Sequence, residues 1–231
     1  MQATRDQDKA IRAWCFYDWA NSAFATTIMA AVLPIFYANV AGAELPGHQA
    51  TAYWGYTTAI ALALAAILSP IAGAAADAAR ARKKMLVAGA LIGAAITGLL
   101  ATVSHGQWLK ASLVFIAAQL FFVIANVAYD SLLPHVARGR NLDRISTRAY
   151  ALGYLGGGLL LAINMAMILF PEKLGIPNAG VAVRLTFVTV TVWWAVFTIP
   201  LIRHVREPGA GTGIETEPRT GTGHDAEAGP G

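Results

Sequence analysis

Six long stretches without a charged residue dominate the chain, at 19–43, 45–76, 85–109, 111–129, 149–171 and 185–202. Each is apolar on every side, rich in Ala, Leu and Gly, and free of strand-like alternation. A helix needs about 17–25 residues to cross the hydrocarbon core, and in lipid only helices and closed barrels satisfy their own backbone groups. The pattern predicts an all-α, polytopic membrane fold with helices near 12–40, 51–79, 84–105, 108–136, 147–170 and 181–203. Pro46 and Gly47 break the first connection, Pro134, Gly139 and Asn141 the fourth, and Pro171, Gly175, Pro177 and Gly180 the fifth. Most tryptophans fall near proposed helix ends, where indole rings settle at the headgroup level.

Composition agrees with the pattern. Hydrophobic residues make up 56% of the chain and charged ones 13%, against about 25% charged in a soluble domain. The charges that remain are sorted by connection. Of 17 Lys and Arg, 14 precede the first helix, lie between the second and third or the fourth and fifth, or follow the sixth. Only Lys110, Lys173 and Arg184 lie in the other connections. The positive-inside rule then places both termini in the cytoplasm, with the chain multi-pass in the cell membrane. This sorting also directs the +4 net charge toward lipid and away from nucleic acid. Residues 1–11 read as a cytoplasmic N-terminus and 12–206 as the six-helix bundle. Residues 207–231, almost without large apolar side chains, read as a disordered cytoplasmic tail.

Several classes of chemistry find no support. Five histidines and the single Cys15 make no metal-ligand spacing. There is no P-loop, nucleophile elbow or zinc-protease motif. The chain reads as neither an enzyme nor a cofactor protein.

The polar residues inside the apolar runs carry what chemistry there is. Asp18 lies within the first helix, with Asn21 three residues on along the same face. A carboxylate inside a membrane is costly and marks a cavity or a partner. Asp18 reads either as a proton-coupling or gating group, or as a headgroup-level carboxylate paired with Arg80, Arg148 or a helix N-terminus. Asp130 reads either as a second carboxylate at similar depth or as part of a helix end closing at Pro134. Gly153, Gly156 and Gly157 give the fifth helix a small face for close packing. Asn164 is an amide deep in the same helix, expected to face the cavity. Trp193 and Trp194 read as lipid-facing.

The connection after the second helix holds Gly73, Asp77, Arg80, Arg82, Lys83 and Lys84. It resembles the signature loop of the major facilitator superfamily, G-x-x-x-D-x-x-G-R-[RK]-[RK]. Gly73, Asp77, Arg82 and Lys83 fit that pattern, whereas Arg80 stands where it has its second Gly and Ala81 where it has Arg. Further segments carry a narrower resemblance: Tyr17-Asp18-Trp19-Ala20-Asn21-Ser22-Ala23-Phe24, Tyr129-Asp130-Ser131-Leu132-Leu133-Pro134, Ala151 to Gly158, and Arg184-Leu185-Thr186-Phe187 with Trp193-Trp194. Together they are similar to the vacuolar amino-acid effluxer family and its bacterial relatives, the unknown major facilitator family. The resemblance implies a secondary transporter for small solutes, with amino-acid efflux suggested by the fungal members. It also implies a gating role for Gly73, Asp77, Arg82 and Lys83.

Members of that family have twelve helices in two bundles, and this chain matches the first. The expectation is therefore a transporter half that needs a second six-helix bundle, either another copy or a separate C-terminal half. Proton coupling is a candidate driving force, and Asp18, Asn21, Asp130 and Asn164 are the candidate pathway residues. The alternative is a truncated or split membrane remnant or assembly protein without transport of its own.

Overall fold

A computed structural model describes residues 2–207, so the expected tail from 208 onward lies outside the described residues. The fold is all-helical, with six helices long and apolar enough to cross a membrane. Helix α1 occupies residues 2–41, α2 Gln49–Ala78, α3 Arg82–Thr102, α4 Trp108–Ala137, α5 Leu142–Leu169 and α6 Ala179–His204. Asn141 and Asn178 cap α5 and α6, their side-chain oxygens accepting from the backbone N–H of Arg144 and Val181. Pro70, Pro134 and Pro200 sit inside helices. Neighbouring helices make such prolines tolerable in a membrane bundle.

Two boundaries differ from the sequence reading. The first helix begins at Gln2, not near residue 12. Residues 2–11 are held as helix by long-range contacts that periodicity does not show: Gln7 Nε2 donates to Ala137 O at 2.7 Å, and Asp8 pairs with Arg140 at 2.8 Å. At about 1.5 Å per residue α1 is longer than the roughly 30 Å hydrocarbon core requires, so its start projects beyond the core onto the α4–α5 connection. The other is the start of α5, at Leu142 and not near 147. Pro134, read as breaking the fourth connection, lies inside α4, which ends at Ala137, close to the expected 136.

Helix α1 is not uniform. Its turns widen to the π type over Phe24–Val32 and Tyr37–Ala41, on either side of the short α-helical stretch Leu33–Phe36. Pro34 supplies no backbone N–H in this region, and Leu33 N–H reaches back to Ile28 O. Such wide turns shift the face a helix presents and occur often at functional sites.

Helix α1 packs chiefly on α5 and α6, α3 on α4 and α6, and α2 on α4. The core between them is built from Trp14, Tyr17, Phe24, Tyr37, Phe115 and Trp194, all nearly or wholly buried. The outer surface carries Ile60, Ile67, Ile71, Leu155 and Leu169 in the open. These are side chains that water would exclude and that lipid or another bundle accepts.

Candidate functional site

Asp18, Asn21, Ser22, Ala25 and Thr26 recur at helical spacing on one face of α1. With Phe122, Asn126, Tyr129 and Asp130 of α4 and Tyr150 and Tyr154 of α5 they enclose an open cavity of about 320 Å³. Three of the residues that the sequence singles out, Asp18, Asn21 and Asp130, are thus brought together. Asn21 Nδ2 donates to Asn126 Oδ1 at 2.6 Å, joining α1 to α4 across the cavity wall. Nearby, the Trp14 ring stacks on Tyr129 at 4.1 Å with 4° between planes, and Trp14 Nε1 donates to Tyr129 O at 3.0 Å. These contacts hold the α1 and α4 backbones in fixed register beside the two carboxylates.

The carboxylates themselves have no partner among the described residues, where the ion pairs are Asp77–Arg82, Glu44–His105 and Asp8–Arg140. Asp18 is therefore not paired with Arg80 or Arg148, a pairing the sequence left open. No basic side chain among the described residues lines the cavity. The Tyr129 hydroxyl is also without a hydrogen-bond partner among them, although Tyr129 is only 5% exposed.

The glycines of α5 make this geometry possible. A methyl group built on Gly153 would fall 2.6 Å from both Asp18 Oδ2 and Ser22 Oγ. One on Gly156 would fall 2.6 Å from the Trp19 ring, and one on Gly157 2.9 Å from the Thr26 side chain. Thr26 Oγ1 donates to Ser22 O at 3.0 Å and lies 3.2 Å from Gly157 O, so a hydroxyl sits in the crossing itself.

Two sequence readings are corrected. Asn164 does not face the cavity: it is fully buried between α5 and α6, where its Oδ1 accepts from Thr189 Oγ1 at 2.8 Å. A threonine–asparagine bond between helices is packing chemistry, and Asn164 Nδ2, buried with it, has no partner among the described residues. Trp194 is not lipid-facing but wholly buried against Phe24 and Phe122, and Trp193 stacks on Trp19 at 5.6 Å while its Nε1 donates to Trp19 O. Sequence reasoning missed Ser22, Thr26, Asn126, Tyr150 and Tyr154 as site residues. The available signal was spacing: 18, 22 and 26 on α1, 126 and 130 on α4, and 150 and 154 on α5 each step by four.

At the end of the bundle where basic residues gather, the α2–α3 connection is tied to its neighbours. Arg82 Nε donates to Asp77 Oδ1 at 2.8 Å, and its Nη1 reaches His135 Nε2 of α4 at 2.8 Å. Lys83 Nζ donates to Ile202 O of α6 at 2.7 Å. In return Glu207 accepts from the backbone N–H of Lys83 and Lys84, at 3.1 and 3.2 Å, at the start of α3. Arg80 adopts φ 49°. It therefore takes the left-handed conformation at the position where the signature pattern has glycine, at a cost of about 1 kcal/mol or more for a residue with a Cβ. Gly73 faces α4, with Val127 the nearest side chain to a methyl built there.

Comparison with known proteins places these observations in a family. The family model described as "Vacuole effluxer Atg22 like" matches residues 46–142 and 139–218. The "Uncharacterized MFS-type transporter YxiO" of Bacillus subtilis (strain 168) is 36% identical over 201 residues, covering 86% of this chain and 47% of its own length. The chain thus spans about half the length of the curated relative it matches. No solved structure matches it. The chain is a multi-pass membrane protein that belongs to the vacuole effluxer Atg22-like family of the major facilitator type.

Proposed function

We propose that the chain forms one six-helix half of a secondary transporter for a small solute, with the cavity between α1, α4 and α5 as its share of the path. The observation that carries this reading is the cavity: two carboxylates, an amide pair and two exposed tyrosines gathered on one open face of an otherwise apolar bundle. Polar groups at membrane depth are expensive and mark a solute or ion route. In transporters built from repeated halves, the site lies where the halves meet. A second bundle, either another copy or a separate half, closes the path in this reading.

Both chain ends face the cytoplasm of a cell membrane, as the basic residues direct. The Asp77–Arg82–His135 chain and the Lys83–Glu207 exchange then lie at the cytoplasmic gate, holding α2, α3, α4 and α6 together while the path is shut. The driving force is a gradient of solute or protons; export is the direction the family description favours, and amino acids are the solute that the sequence resemblance implies. Counterflow in proteoliposomes tests this, with a panel of labelled amino acids and small amines, with and without a second six-helix bundle of the family. Saturable exchange that depends on the second bundle is expected. Absence of exchange for every solute in the paired assembly would contradict the proposal and favour a remnant or assembly protein.

A further inference from the structure

We infer that this half of the path binds the cationic amine end of an organic solute, seated between Asp18 and Asp130 and walled by Tyr150 and Tyr154. The inference deepens the reading of the cavity as a solute path and rests on it.

Charge is the first argument. Asp18 and Asp130 line one cavity, no described lining residue is basic, and neither carboxylate makes an ion pair or hydrogen bond among the described residues. Arg148 of α5, the basic residue nearest in sequence to the tyrosines, is exposed and pairs with neither. Asp18 is half-buried and Asp130 exposed on the cavity face; two unpaired carboxylates side by side attract a cation and repel an anion. A solute's carboxylate finds no partner on this half.

The second argument is an unsatisfied donor independent of the acids. Tyr129 lines the same cavity, is only 5% exposed, and its hydroxyl has no partner among the described residues. Several buried polar groups are unpaired among the described residues, and Tyr129 is the one of them that lines the cavity, where its hydroxyl gives a ligand a further group to bond.

The third argument separates an organic amine from a bare metal ion. Tyr150 and Tyr154 line the cavity one helical turn apart and are 61% and 78% exposed. Aromatic faces attract ammonium groups and cover the apolar body attached to them. No group of three His, Cys, Asp or Glu suited to a metal occurs among the described residues. Gly153 keeps the pocket at its size, because any side chain there would collide with Asp18 and Ser22.

The test is tryptophan fluorescence of the full chain in nanodiscs, since Trp14 stacks on Tyr129 and Trp19 neighbours Asp18 on α1. Phenethylamine is expected to change the signal saturably. Phenethyl alcohol, which keeps the ring and loses the charge, is expected to bind about tenfold more weakly or worse, and phenylpropionate not measurably. Asp18→Asn is expected to weaken phenethylamine by about tenfold or more and Asp130→Asn by a smaller factor. Ser112→Ala, remote from the cavity, is expected to leave it unchanged and serves as the folded control. Equal binding of the amine and the alcohol, tighter binding of the carboxylate, or a folded Asp18→Asn protein with undiminished amine affinity would each overturn the inference. So would a saturable response to sodium chloride that phenethylamine does not compete. A cavity that water-borne reagents reach but that binds no amine would remove this inference and leave the transport reading standing.

Discussion

Two polar clusters lie toward opposite ends of α4, and they are finished differently. Toward the α4 N-terminus, Tyr37 Oη, Ser112 Oγ and Thr57 Oγ1 form a closed set at 2.8 and 2.7 Å, buried and fully paired. Aromatic neighbours seal it, with Trp54 against Tyr37 and Phe115, and Tyr53 against Trp108. Toward the α4 C-terminus, Asp18, Asp130 and the Tyr129 hydroxyl border an open cavity and are left without partners among the described residues. Both clusters join α1 to α4 by short side-chain hydrogen bonds. The closed one reads as structural glue, because every group in it already has what it needs. The open one keeps its polar capacity for something that arrives.

The largest way to break this contrast is through the scaffold of the open cluster. Gly156→Val would drive a branched side chain into Trp19 and part α1 from α5, with an expected loss of about 3 kcal/mol or more. A guanidinium or SDS unfolding series measures it, and a stable variant would mean that the crossing is not tight. Next is Asp18→Asn, expected to weaken amine binding about tenfold while leaving thermal stability equal or higher, since an unpaired carboxylate in the membrane is a cost to the fold. The closed cluster should show the reverse. Ser112→Ala removes the hydroxyl shared by Tyr37 and Thr57 and is expected to cost about 1 kcal/mol in unfolding experiments, with ligand titration unaffected. The smallest effect expected is Arg80→Gly. It removes a Cβ from a left-handed position and should stabilise by about 0.5–1 kcal/mol; a destabilised variant would show that the Arg80 side chain has a role in the gate.

Much of the fold was legible because membrane insertion imposes a blunt rule. Long charge-free runs became helices, and Pro46, Gly47, Gly139, Pro171 and Gly175 fall in their connections, whereas Pro134 lies inside α4. The candidate site was legible where a residue is out of place in lipid: Asp18, Asn21 and Asp130 announce themselves in an apolar run. It was not legible where the answer depends on which neighbour faces a residue. Asn164 and Asn126 look alike in sequence, yet one is consumed by Thr189 between α5 and α6 and the other lines the cavity. Trp194 is apolar whether it meets lipid or Phe24, and only the packing of α6 on α1 and α3 decides. The N-terminal turns of α1 escaped notice because Asp8 and Gln7 are held by residues more than a hundred positions away.

The contrast between the clusters is tested most directly by water-borne cysteine labelling. In a Cys15→Ser background, Ser22→Cys and Ser112→Cys would be exposed to a membrane-impermeant maleimide from the side carrying the basic loops. The account predicts rapid modification at position 22, slowed by phenethylamine, and none at position 112. Equal labelling at both positions, or labelling at 112 alone, would contradict it.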